Sequence, residues 1–178
     1  RALLERLLNL LLLIDSKIGI QIAQKISENN NMTLSIIGLK SLCINDSQRA
    51  LKYLNKFYKK WEGNELVIEK WFEIMSTLNI KGEGINFIKK LLKHSAFDYK
   101  NPNKLRAVLN TFQRENILLF HANDSSGYKF VSEQISKIDK NNPQAAARLI
   151  LPLTRFNNYT NERKKKIKKV LQNMNNKS

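Results

Sequence analysis

The sequence is poor in the residues that break, crosslink or metallate a chain. Six glycines and three prolines in 178 residues are too few for the many tight turns of an all-β protein, and they favour long helices. A single cysteine, Cys43, excludes an internal disulfide and fits a reducing compartment, here expected to be the cytoplasm. Flanked by Leu42 and Ile44, it reads as a small core residue rather than a reactive thiol. Only two histidines occur, His94 and His121. They are far apart and belong to no His-Glu-x-x-His arrangement, so no zinc site is expected within the chain. Both read as structural hydrogen-bonding groups. A glycine-rich phosphate loop and a serine nucleophile elbow are also missing, and no stretch reads as a catalytic centre. The longest apolar run, Leu10–Ile14, stops at Asp15, far short of the ~20 residues that cross a membrane. The start carries Glu5 and no small-residue cleavage site, so no signal peptide is read. Arg1 opens directly into an apolar helix, and the chain is expected to be a piece of a longer polypeptide.

What is present is apolar residue and positive charge. Hydrophobic residues make up 42%, enough for a core and too many for a disordered chain. The formal charge is +16, from 31 basic and 15 acidic residues. That excess raises a nucleic-acid partner. It is weakened by composition, because 23 of the basic residues are Lys and only 8 are Arg, the residue suited to bidentate readout. Only the end is dense in charge. Residues 155–178 hold eight basic residues and one acid, and Arg163–Lys169 reads as the solvated side of a last helix whose inner side is Ile167, Val170 and Leu171.

Apolar spacing lays out helices along the whole chain. Arg1–Ser16 is apolar on most faces (Leu3, Leu4, Leu7, Leu8, Leu11, Leu12), and Ile18–Asn29 follows. Thr33 is a candidate cap for Leu34–Ile44, and Asp46 for a helix with Leu51, Leu54, Tyr58 and Trp61, ended by Gly63. Asn64 or Glu65 opens a helix with Leu66, Val67, Trp71, Ile74, Met75 and Leu78 inward. Trp61, Trp71 and Phe72 read as core rather than as a stacking surface. Gly82 and Gly84 mark a break before Ile85–Leu92. Asn101-Pro102 starts a helix with Leu105, Val108, Leu109 and Phe112. Ile117–His121 is strand or helix turn by pattern alone. Tyr128–Lys140, Asn142–Phe156 (kinked or ended near Pro152) and Thr160–Met174 complete about ten helices. Their lengths and short turns indicate one all-α domain over residues 1–178, built as an α-solenoid of stacked antiparallel pairs of the armadillo or HEAT kind. A compact bundle is the alternative, since no repeat of ~40 residues is visible.

Asn142–Phe156 carries no charge except Arg148 and Arg155. A helix apolar on nearly every side is buried among neighbours, which places Arg148 where a guanidinium is hard to solvate. Arg106 stands in a similar place. Each follows an Asn-Pro helix start by about one turn, where the unpaired N–H groups already favour negative charge. Two readings stay open: an ordinary ion pair with a carboxylate on a neighbouring helix, or a pair of cations presented to an anionic ligand.

The stretches Asn30-Asn31-Met32-Thr33, Lys60-Trp61, Leu66-Val67, Lys70-Trp71-Phe72, Phe97, Asn101-Pro102-Asn103-Lys104 with Arg106, Phe120-His121-Ala122, Asp124, Ser126-Gly127-Tyr128, Asn142-Pro143-Gln144, Ala146, Arg148-Leu149, Pro152-Leu153 and Tyr159 occur in an order that resembles the C-terminal helical domain of the bacterial-type aminopeptidase N family of zinc metallopeptidases. Asn116-Ile117 departs from it, where relatives tend to have Asn-Pro, and the basic tail is heavier. The resemblance implies an α-solenoid that caps a catalytic domain of the same polypeptide and narrows the route of peptide substrates to a zinc ion. Arg106 and Arg148 would line that route. Zinc and the catalytic residues would lie outside this chain, which should be inactive alone. The alternatives are a free-standing HEAT-like interaction scaffold and a basic nucleic-acid binder.

Overall fold

The computed structural model describes residues 2–175; Arg1 and the last three residues of the basic tail lie outside the described residues. Among the described residues there is no strand, and no helix is long and apolar enough to cross a membrane. The helices group into two compact units, Arg1–Lys81 and Gly82–Ser178.

The first unit holds α1 (Ala2–Ile14), α2 (Ser16–Ser27), α3 (Met32–Asn45), α4 (Ser47–Trp61) and α5 (Glu65–Thr77). Consecutive helices pack on one another, as short connections require. Four of these helices start at an Asp or Asn whose side chain accepts an otherwise orphaned N–H: Asp15 from Ile18 at 3.0 Å, Asn31 from Thr33 and Leu34, Asp46 from Arg49 at 2.9 Å and Asn64 from Val67 at 3.2 Å. Asn31, not Thr33, caps α3, because Thr33 already lies within the first turn, where its own N–H is one of the two that Asn31 accepts. Gly63 follows α4 without a positive φ, so it does not supply a left-handed stop.

Backbone proximity sets the packing of α2 on α3. A Cβ at Gly38 would stand 2.4 Å from Ser27 N and 2.6 Å from Ala23 O. Ser35 Oγ donates to Ser27 O at the same contact. Around it Leu39, Leu42, Leu54, Ile68, Phe72 and Leu78 are fully buried. Trp71 donates through Nε1 to Leu54 O at 3.0 Å, and its ring lies 4.9 Å from Tyr58 and 5.0 Å from Phe72. Leu66, expected inside, is 70% exposed. It stands in the first turn of α5, and Ile68 and Phe72 take the inward positions instead. In α1 only Leu8 and Leu12 are buried. Leu3, Leu7, Leu10 and Ile14 form a second stripe, at helical spacing, that is exposed.

The second unit opens with Gly82 and Gly84, both at positive φ, where only glycine is unstrained. It holds α6 (Ile85–Leu91), then α7 (Pro102–Leu105), a π-helical stretch (Arg106–Asn110) and α8 (Thr111–Glu115) running on as one continuous helix, then α9 (Ile117–Phe120), α10 (Ser126–Asp139), α11 (Pro143–Leu149), α12 (Leu151–Thr154), a 3₁₀ turn (Phe156–Asn158) and α13 (Asn161–Asn175). Ile117–Phe120 is therefore a helical turn, capped by Asn116, and Ile117 stands where a proline was to be looked for. Phe112 packs edge-on against Phe120 and Phe130 at 5.9 Å. Gly127 lets α10 approach α9 closely, since a Cβ there would lie 2.4 Å from Phe120 O. Asn142–Phe156 is broken at Ile150, one residue before the α12 that contains Pro152.

Two outcomes test this packing. Gly38→Ala should lower stability by about 2 kcal/mol in urea unfolding, because overpacking against backbone outweighs the ~1 kcal/mol that Ala gains in helix propensity. Gly63→Ala, which meets open space, should be neutral; equal stability of the two variants would show that the α2–α3 approach is looser than described. Burial pushes the Cys43 thiol up to about 12. Its reaction with a disulfide reagent near pH 8 should be at least about a hundredfold slower in the folded chain than in urea.

Candidate functional site

Two of the helix starts come together in the second unit. Asn101 Oδ1 accepts from Asn103 N at 2.9 Å and Lys104 N at 3.3 Å, with Pro102 at the first helical position. Asn142 Oδ1 accepts from Ala145 N at 3.0 Å, with Pro143 in the equivalent place. Proline loses nothing there, because that N–H has no helical partner. A cleft of about 280 Å³ lies between them, lined by Pro102, Asn103, Leu105, Arg106, Asn110, Asn142, Gln144, Ala145, Arg148 and Leu149.

Arg106 and Arg148 both line this cleft. Neither is buried, which corrects the expectation for Arg148. Only Ala146 and Leu149 of α11 turn inward; the neighbouring alanines are too small to cover Arg148, so its guanidinium keeps contact with water. Neither arginine has an ion pair with a carboxylate among the described residues. No Asp or Glu lines the cleft. Its charge is that of two guanidiniums among carboxamide side chains, a set that accommodates an anion.

Two features of the cleft were not legible in apolar spacing. The helix carrying Arg106 widens into a π-helical stretch at that residue, and the Thr111 N–H reaches back to Arg106 O. Such widenings re-aim side chains and recur at functional sites; here Arg106 and Asn110 both face the cleft. Gln113 is the second. It is 4% exposed, and its Nε2 donates to Leu149 O at 3.0 Å, tying α8 to the end of α11. Its Oε1 is buried without a protein partner among the described residues. A polar residue directly after Phe112, inside the buried stripe, was the available signal.

The remaining candidates are elsewhere. His94 Nδ1 accepts from Ala96 N at 3.1 Å. His121 Nδ1 lies 2.6 Å from the Tyr128 hydroxyl. Burial holds both imidazoles below their ordinary value, and Arg163 adds to this at His121. Trp71 and Phe72 are core, and Ile167 and Val170 turn the α13 lysines outward. Among the described residues, no group of three or more His, Cys, Asp or Glu is placed to hold a metal ion.

Removing the Gln113 tie and removing a cleft arginine should differ in kind. Gln113→Ala leaves the Leu149 carbonyl without its donor and should cost about 2 kcal/mol in chemical denaturation. Arg106→Ala and Arg148→Ala, exposed and unpaired, should each stay within about 0.5 kcal/mol of the parent. A large loss from either arginine variant would mean that it serves the fold.

Comparison with known proteins places these helices. The chain is 31% identical to aminopeptidase N of Escherichia coli over 86% of its length. It is 33% identical to aminopeptidase N of Haemophilus influenzae over 89%. It spans about a fifth of those relatives, 18% of each. Among solved structures, Legionella pneumophila aminopeptidase A in complex with aspartic acid superposes with a TM-score of 0.85 at 29% identity, over 92% of this chain and 19% of that one. A family model described as a domain of unknown function (DUF3458_C) with ARM repeats matches residues 1–178. The antiparallel helix neighbours are thus repeats of the armadillo type, and the chain belongs to the DUF3458_C ARM-repeat family, a region that it shares with aminopeptidase N.

Proposed function

We propose that this chain is the non-catalytic C-terminal helical domain of a zinc aminopeptidase, capping the catalytic domain of its own polypeptide and lining the route by which peptides enter. The observation that carries the reading is the cleft of Arg106 and Arg148: two exposed guanidiniums with no carboxylate on its walls. The parent would hydrolyse N-terminal residues from peptides, and the two arginines would attract the carboxylate at the far end of the substrate. Zinc and the catalytic base would be supplied by the rest of the polypeptide, of which this chain matches only 18% in the relatives. A cytoplasmic setting goes with the proposal and rests on the lone buried cysteine.

The partner surface is proposed on the first unit. Leu3, Leu7, Leu10 and Ile14 make an exposed apolar stripe along α1, of a kind that soluble surfaces seldom leave bare. Further protein of the same polypeptide would cover it. The same stripe is what a free-standing interaction scaffold would offer a separate partner. A nucleic-acid role has less support. Lys56, Lys70, Lys90 and Lys166 are paired with Glu28, Glu73, Glu83 and Glu162, and the cationic surface follows the solvated helix faces.

In the full-length polypeptide, Arg106→Ala or Arg148→Ala should raise KM for di- and tripeptides about three- to tenfold, the worth of an exposed charge-assisted contact. KM for an aminoacyl p-nitroanilide, which has no carboxylate, should hardly change. Equal effects on both substrate kinds would sink the channel role. The 178-residue chain alone, supplied with zinc, should not turn over the anilide; steady turnover would refute the assignment of catalysis to another part.

A further inference from the structure

A second cavity, of about 210 Å³, opens in the second unit where the turn after His121 meets the starts of α10 and α13. Its walls include His121, Tyr128, Thr160, Arg163 and Lys166, with Glu162 beside them. None of these residues lines the Arg106–Arg148 cleft. Tyr128 is 1% exposed, and its hydroxyl engages His121 Nδ1 at 2.6 Å. The Phe120 and Tyr159 rings, 4.8 and 4.9 Å from the imidazole, hold it in place.

The charges around the cavity are unevenly committed. Lys166 is tied to Asn123 O at 2.9 Å and to Glu162. Glu162 is thereby occupied, and its side chain is 75% exposed. Arg163 is half-buried, has no hydrogen bond or ion pair among the described residues, and stands close enough to act on both His121 and Tyr128. The carboxylate on these walls, Glu162, feels Arg163 but is bonded to Lys166, so a guanidinium partly removed from water keeps donors to spare. Its five donors form a planar fork suited to an oxyanion. The 2.6 Å contact admits either direction; in the tautomer with Tyr128 donating to Nδ1, the imidazole proton sits on Nε2 and is a second donor, and the Thr160 hydroxyl is a third.

We propose that this cavity is a binding site for a small tetrahedral oxyanion, inorganic phosphate, gripped by the Arg163 guanidinium with the Thr160 hydroxyl and His121 Nε2–H completing the shell. Arg163 supplies the charge. Tyr128 positions the imidazole so that its remaining N–H is the one offered. Lys166, held by Glu162 and the Asn123 carbonyl, fixes the entrance of α13 against the turn rather than binding the anion itself.

The chain has only two histidines, so imidazole NMR reads the site directly, with His94 as an internal reference. The full 178-residue chain is titrated with inorganic phosphate at constant ionic strength. The His121 ring signals should move saturably and its apparent pKa should rise by about half a unit or more, since a bound anion favours imidazolium, while His94 stays unchanged. Acetate at the same ionic strength should shift His121 less. Arg163→Gln should abolish the response, and Thr160→Val should weaken it several-fold should the first variant not fold. Lys40→Gln, an equal loss of charge at an exposed position in α3, should leave it intact. The proposal is overturned by an immobile His121, by parallel shifts of His121 and His94 that mark general attraction to a cationic chain, by acetate matching phosphate, or by an Arg163→Gln or Thr160→Val variant that titrates like the parent.

Discussion

The first turn of a helix leaves several N–H groups with no partner, and this chain answers that need in the same way at seven of its described helix starts. Asp15, Asn31, Asp46, Asn64, Asn101, Asn116 and Asn142 each turn a side-chain oxygen onto the turn they open. The rest of the structure depends on it. With helix starts set by short polar residues, the connections stay short, neighbouring helices run antiparallel, and apolar stripes meet over lengths of three or four turns. Asn101 and Asn142 also hold the two backbone segments from which Arg106 and Arg148 extend, so the charge of the cleft is placed by the same device that begins its helices.

Close approach of backbone is the second constraint. Gly38 and Gly127 stand where a side chain would strike neighbouring backbone atoms, and each lies beside a layer of large buried side chains. Ala146 does similar service in α11. Separately, Gln113 donates to the Leu149 carbonyl, and that bond ties α8 to the end of α11 beside the cleft. The π-helical widening at Arg106–Asn110 belongs to the same geometry, because it turns two polar side chains of one helix toward the other.

Much of the fold was legible in the residues. The scarcity of Gly and Pro, the spacing of Leu105, Val108, Leu109 and Phe112, and the Asn-Pro pairs mark helices and their starts, because capping and helical period are local properties. Facing is not local. Leu66 and the Leu3–Leu7–Leu10–Ile14 stripe have the same hydrophobicity as residues that are buried, and nothing in their spacing says which side meets a neighbour. Arg148 was misjudged for that reason: the alanines around it look like a buried surface, yet their small size is what leaves the arginine open to water.

The sequence by itself determined that the chain is helical, where most helices begin, that Cys43 is a small core residue, and that Arg106 and Arg148 each follow an Asn-Pro start. These depend on interactions between residues a few positions apart. Only the tertiary structure decided that the two arginines line one cleft without a carboxylate, that Gln113 ties its walls, and that His121, Tyr128 and Arg163 enclose a cavity. Those arrangements join residues 7 to 42 positions apart in the chain, and it is the packing of one helix against another, not the period within either, that brings them together.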